Sequence, residues 1–288
     1  MNIKTSLLLL VSIMTSFSSI ATTQLIYNRE NAEQDSYIMA VLEMALEKSG
    51  QEYELKPTPE TYSDSKVRSD LSNGSLDVYW TMTSTELENS YLPVRVPIFK
   101  GLLGSRIFII NQGEQGKFDH VNSFADLQKL TAGQGRLWPD TEILSGAGIP
   151  VATAMKYESL FFMLEGERFD YYPRGVHEPW SEVERYSALN LEVEKGIMLV
   201  YRAPMYFFVN QNNPQLAADI ERGFETAIAD GSFNRLFFSH PVITSVLDKA
   251  NLEQRKVFEI ENPMLSAQTP IDRKELWLDV DSISSKDR

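Results

Sequence analysis

The sequence contains no cysteine. Disulfides, thiolate metal sites and cysteine nucleophiles are therefore excluded. Histidine is scarce as well. His120, His177 and His240 are the only three, and they lie too far apart for a zinc pattern such as HExxH. No metal is expected. No GxSxG elbow occurs to present a serine nucleophile. Gly133-Gln134-Gly135 lacks the third glycine of a dinucleotide fingerprint, because position 138 is Trp. Asp140 and Glu142 would also repel phosphate there. No cofactor is expected. Positive charge is short: 27 basic residues face 40 acidic ones, a net charge of −13. Such a chain repels nucleic acid and anionic lipid, so a nucleic-acid partner is not expected.

Long hydrophobic runs are missing too, apart from the N-terminus. There Lys4 precedes an apolar core, Leu7 to Met14, too short to span a bilayer. Ser19-Ile20-Ala21 places small residues where a signal peptidase reads. Residues 1–21 are expected to be a cleavable signal peptide. Its removal takes away one Lys and no acid, leaving 26 basic residues against 40 acidic and a charge of −14. No cysteine follows the apolar core, so a lipid anchor has no attachment site. The expected location is the periplasm.

What is present reads as alternating strands and helices. At 288 residues the chain is long enough for two lobes. Gln24 to Tyr27 is a short apolar run. After it, Asp35 caps a helix whose stripe is Ile38, Val41, Leu42, Ala45 and Leu46. Tyr53 to Lys56 is a strand, Asp64 to Leu71 a helix and Leu76 to Met82 a strand. This β-α-β-α-β order implies a parallel sheet, whose ligands sit beyond the carboxyl ends of its strands. Asn28, Arg29, Trp80 and Thr81 fall there.

A second α/β series follows. Arg106 to Ile110 is an apolar strand, Ser123 to Leu130 a helix, Ile149 to Ala152 a strand and Ser159 to Glu165 a helix. Ile197 to Asn210 reads as one long strand interrupted by Pro204. Pro214 to Ile228 is the clearest helix, stopped by Gly231, and residues 241–262 read as mostly helical. Two α/β units joined by long strands imply an α/β, two-lobed chain that crosses between lobes and returns. The crossings fall near Phe99 to Arg106 and near Arg202 to Met205, with a ligand cleft between the lobes. The expected division is residues 22–100 in lobe 1, 101–204 in lobe 2, 205–280 in the lobe 1 return with a helical tail, and 281–288 as a disordered end.

Several ordered pieces carry a family resemblance. Leu76-Asp77-Val78 is followed by Thr81 and Thr83. Ser123 to Leu127, Gly166 to Asp170, and Asn213 to Leu216 with Asp230 to Leu236 complete the set. Together they resemble the periplasmic solute-binding proteins of the amino-acid-binding type, family 3, with the type II fold, over about residues 23–240. The resemblance implies capture of a small solute for a membrane ABC transporter or a sensor, by a monomer that is not an enzyme. It also implies an Arg after the third-strand threonines and an Asp five residues after Asp170. This chain has Glu86-Leu87-Glu88 in the first place and Gly175 in the second, so the usual amino-acid clamp is absent.

The candidate site residues follow from that departure. Glu165 to Trp180 mixes rings (Phe169, Tyr171, Tyr172, His177, Trp180) with charges (Arg168, Asp170, Arg174, Glu178), as a cleft wall does. Arg174 is the leading ligand contact, a two-pronged grip for a carboxylate, with a salt bridge to Glu178 or Glu182 as its competing role. Arg95, Arg136 and Arg29 are further cations. Trp80 and Trp138 would sandwich a planar ligand, with Tyr27 as a weaker candidate. Asp170 is expected to anchor backbone locally. The ligand is therefore expected to be small and polar, anionic or aromatic. Two other readings stay open: an orphan binding fold acting through a protein partner, and a dehydratase-like enzyme using Glu178 with His177.

Overall fold

The computed structural model describes residues 23–29 and 35–278, so the expected signal peptide (1–21) and terminal tail (281–288) lie outside the described residues. The chain begins with β1 (Thr23–Tyr27), α1 (Asp35–Lys48), β2 (Tyr53–Pro57), α2 (Asp64–Asn73), β3 (Val78–Met82), α3 (Thr85–Ser90) and β4 (Leu92–Val94). The apolar stripe of α1 is buried throughout. A second series follows: β5 (Ser105–Asn111), α4 (Gln115–Asp119), α5 (Phe124–Leu127), β6 (Ala132–Gly135), α6 (Pro139–Gly146), β7 (Val151–Ala154), α7 (Tyr157–Glu165) and β8 (Tyr172–Gly175). Then come α8 (Pro179–Arg185), β9 (Leu191–Val193), β10 (Ile197–Val200), β11 (Met205–Val209), α9 (Pro214–Ala229), α10 (Ser232–Ser239), α11 (Pro241–Ala250) and β12 (Lys256–Glu259). None of the helices among the described residues is long and apolar enough to cross a membrane.

The strands form two principal sheets. The first has the order β2-β1-β3-β11-β4, with β11 antiparallel to both neighbours. The second has the order β12-β10-β5-β8, with β9 also on β5. β6 and β7 form a separate parallel pair. The chain passes from the first sheet to the second between β4 and β5. It returns between β10 and β11.

The long apolar run from Ile197 to Asn210 is thus two strands in two sheets. Pro204 lies in the gap and has no N–H to give a ladder. The two passages touch one another. Tyr201 N donates to Gly104 O at 3.0 Å. A Cβ at position 104 would lie 1.9 Å from Tyr201 O, so only glycine allows that approach.

The tail departs from the expected first-lobe helix. α11 stops at Asn251, whose φ of 47° is left-handed. β12 then pairs in parallel with β10, which adds it to the second sheet. Beyond β12 the chain runs back as a strap across both passages. Ile260 N donates to Val200 O, and Asn262 Nδ2 donates to Arg202 O at 2.8 Å. Thr85 N donates to Met264 O at 3.3 Å. Arg273 pairs with Glu225 at 2.6 Å. Trp277 ends the strap by lying on Gly101, which sits at a φ of 87°.

A Cβ at Gly101 would meet the Trp277 ring at 2.7 Å and would also occupy a conformation that L residues avoid. Gly101→Ala should therefore destabilise the protein by about 2 kcal/mol. Trp277→Ala should cost about 2 kcal/mol, less than a fully buried Trp because this one is half-buried. Urea midpoints of the two variants against the parent check both. Unchanged midpoints would mean the strap contributes no stability.

Candidate ligand cleft

A cavity of about 270 Å³ lies where the ends of the two sheets face each other. Thr81, Met82 and Met205 come from the first sheet. Leu103, Arg106, Trp138, Asp140, Tyr157, Arg174, Glu178, Ser181, Glu182 and Arg185 come from the chain between the two passages. A larger hollow of about 530 Å³ lies between the passages and the strap, with Lys100, Tyr201, Arg202 and Trp277 in its wall. The smaller cavity is the better site candidate, because both sheets contribute strand ends to it.

Its floor is a buried ion network. Arg174 on β8 donates from Nε to both carboxylate oxygens of Glu182, at 3.0 and 2.8 Å. Its Nη2 donates to Glu178 Oε1 at 2.8 Å and Glu182 Oε1 at 2.6 Å. The spacing is a sequence property: Glu178 and Glu182 are four residues apart, so both lie on one face where α8 begins. Gly175 N and Tyr157 OH donate to Glu178 Oε2 and Glu182 Oε1, each at 2.6 Å. Arg106 Nη2 lies 2.8 Å from Asp140 Oδ1, and Nη1 lies 3.6 Å from Glu178 Oε2. Tyr201 OH also donates to Asp140 Oδ1. Burial pulls the Arg174 pKa down, but Glu178 and Glu182 outweigh that and hold it well above its ordinary value. Burial, and then the Glu182 carboxylate, raise the Tyr157 phenol, which therefore stays a donor.

Rings surround the network. The Arg174 guanidinium lies 5.3 Å from the Trp138 ring centroid and 4.9 Å from that of Tyr172. Trp138 and Tyr157 are 6.3 Å apart on the cavity wall.

The structure brings together three of the sequence candidates, Arg174, Thr81 and Trp138, around this cavity. It places the other five elsewhere. Trp80 is buried in the core beneath the first sheet, 6.1 Å from Tyr27 and 6.2 Å from Phe207. Tyr27 packs against that same core. The residues at the end of β3 that line the cavity are the two after Trp80, Thr81 and Met82. Arg95 is taken by Glu88, with contacts of 3.1 and 2.8 Å from Nε and Nη2. Arg136 is exposed and its Nε is 3.4 Å from Thr153 Oγ1. Arg29 is exposed, and its backbone N donates to Thr58 Oγ1.

Arg174 itself is not an open grip for a carboxylate, because its acidic neighbours already fill it. Tyr171 and Tyr172, expected among the rings of a cleft wall, are both fully buried. Asp170 accepts from Thr131 N at 2.8 Å, a local backbone anchor as expected.

Sequence reasoning passed over Arg106 and Asp140 as site residues. Arg106 had a signal, since it opens a run of four apolar residues, Ile107 to Ile110, that are all buried. A charge at such a place needs a partner.

His177 does not line the cavity. It is buried and stacked on Phe99 of the first passage, with ring centroids 4.1 Å apart. Neither ring nitrogen finds a hydrogen-bond partner among the described residues. Burial, then the charges of Arg106 and Arg174, push its pKa down to about 3.

No family model matches the sequence, and no curated protein matches it. Solved structures do match in shape. A glutathione-import structure, described for GshT and the cystine ABC importer TcyBC of Streptococcus mutans, has a TM-score of 0.56 and 11% identity over 76% of this chain and 95% of that one. The probable amino-acid ABC transporter extracellular-binding protein ytmK of Bacillus subtilis gives 0.54 and 16% over 76% and 98%. An ancestral arginine-binding protein bound to arginine gives 0.52 and 14% over 75% and 96%. The chain has the two-lobed type II periplasmic-binding-protein fold. The cavity lies between the two sheets, with Leu103 of the first passage in its wall.

Two expectations follow. Arg174→Ala would strand Glu178 and Glu182 in a buried site and should cost about 3–5 kcal/mol. Replacing all three charges at once (Arg174→Met, Glu178→Gln and Glu182→Gln in one chain) should recover most of that loss, as read by thermal melting. Equal losses in both would assign the cost to packing instead. The second concerns acid. Unfolded His177 titrates near its ordinary value of 6.5, but folded His177 only near 3. The stability that its depressed pKa carries is full above pH 6.5 and is lost as pH falls towards 3. His177→Phe should flatten the fall of melting temperature across that window. An unchanged slope would place the acid sensitivity elsewhere.

Proposed function

We propose that the protein is a periplasmic solute-binding protein. It closes its two lobes on a small molecule and presents the closed form to a membrane transporter or a sensor. The observation that carries this reading is the cleft, walled by Thr81, Met82 and Met205 on one side and by Trp138, Tyr157 and Arg174 on the other. Closure needs only a ligand that prefers the closed form. Movement would turn about the two passages and would also have to carry β12 and the strap, which join the two sheets a second time. The similarity to solute-binding structures supports the reading at the level of fold. The reading needs no metal and no cofactor, and a monomer suffices for it.

Binding is favoured over turnover by the state of the acid-base candidates. Both oxygens of Glu178 are engaged, one by Arg174 and one by Gly175 N. His177 lies against Phe99 of the first passage rather than in the cavity wall. Neither is placed to pass a proton to a molecule in the cleft.

Thermal melting against a broad panel tests the proposal: amino acids, small organic acids, aromatic compounds, polyamines and peptides. A ligand at 100 times its dissociation constant should add about 2.7 kcal/mol. Trp138→Ala should weaken that ligand at least tenfold, because it removes a ring from the wall. A panel without any shift, or a shift that Trp138→Ala leaves intact, would count against the cleft as a solute site.

A further inference from the structure

Resting on the cleft as a solute site, we infer that its ligand is an uncharged, ring-bearing small molecule with one polar group, and that the buried ion network selects against charged molecules of either sign. The cleft does contain charges. Arg106, Arg174 and Arg185 line it together with Asp140, Glu178 and Glu182. What decides the matter is that each of the buried charges already faces one of opposite sign, although Arg106 keeps Nε and Nη2 without a hydrogen-bond partner among the described residues. Glu182 accepts from Arg174 and Tyr157. Glu178 accepts from Arg174 and Gly175 N. Asp140 accepts from Tyr201 and pairs with Arg106. Arg185 is not without a partner either.

An incoming carboxylate beside Arg106 would meet the carboxylates of Asp140 and Glu178, and one at Arg174 would have to displace Glu182 or Glu178. The displaced acid would then stay behind at 6% or 7% exposure with no cation. An incoming ammonium would have to displace Arg174 from the same acids and strand the guanidinium, itself 6% exposed. An uncharged molecule disturbs neither. Rejection of ions here comes from what they would leave unpaired, which is how a site discriminates against a wrong ligand without touching the right one.

The surface left over for contact is apolar and aromatic. Trp138 and Tyr157 supply rings, and Met82 and Met205 supply adaptable apolar side chains from the first sheet. Leu103 and Pro139 complete the apolar lining. Thr81 and Ser181 add hydroxyls, enough for one amide or hydroxyl group on the ligand. A volume of about 270 Å³ is small for a ligand site and suits a single ring with a short substituent.

Three molecules with the same ring and different charge test this: phenylacetamide, phenylacetate and phenethylamine, measured by titration calorimetry at pH 7. Phenylacetamide should bind at least tenfold tighter than either ion. Equal or tighter binding of phenylacetate or phenethylamine would overturn the inference while leaving a solute-binding function intact. Binding of none of the three would also overturn it. The solute-binding reading itself stands or falls on the broad panel, which includes molecules without rings. Glu182→Gln gives a second arm. It removes one carboxylate from Arg174, so phenylacetate should gain at least tenfold relative to phenylacetamide. An unchanged ratio in a folded Glu182→Gln protein would mean that the network does not set the preference.

Discussion

A guanidinium removed from water must be met by carboxylates, and the cleft is arranged to meet that demand at Arg174. The demand fixes where α8 starts, because Glu178 and Glu182 must reach the end of β8 from one helical face. It also fixes the Tyr157 hydroxyl, which shares Glu182 with Arg174. Glu178 in turn lies near Arg106, and Arg106 brings in Asp140 and Tyr201. Tyr201 belongs to the second passage between the sheets. The chain of contacts therefore runs from the helix that walls the cleft to the segment about which the lobes would turn. A ligand that altered one end would be felt at the other through packed, charged groups with few alternative arrangements.

Much of the fold was legible as periodicity. The stripe on α1 and the alternation of strands and helices up to β3 depend on local pattern, and local pattern is what a sequence displays. Four short strands that the pattern did not announce, β4, β6, β9 and β12, are three or four residues long. Ala132 to Gly135 carries no β-branched or aromatic residue. It becomes a strand because β7 and the Phe169 ring close around it; a Cβ at Gly133 would lie 2.1 Å from that ring. β12 is a strand because β10 offers an open edge, a partner lying far away in sequence.

The site was legible in part for the same reason. Arg174, Trp138 and Thr81 stand at ends of elements that periodicity could place. The partner of Arg174 was written in the spacing to Glu178 and Glu182. What the spacing did not tell was that both acids would engage it at once, because that depends on how deeply the end of β8 is buried. Arg95 repeats the lesson on the first lobe. Where the sequence resemblance led to the expectation of an Arg, Glu88 stands instead, and Arg95 closes onto it. Thr83 also donates to Glu88, which leaves that corner internally satisfied.

The strap has a consequence for the way the molecule is made. β10 is an apolar strand, Ile197 to Val200, and β12 is its outer neighbour. Until residues 256–259 are available, β10 presents a bare row of backbone donors and acceptors to any other chain. Synthesis runs from the N-terminus, so this edge is made before the strand that covers it. The second lobe must wait, exposed, through the whole of α9, α10 and α11 before it is sealed. Residues 256–259 thus close an edge that, in a chain lacking them, would be open to pairing with another chain.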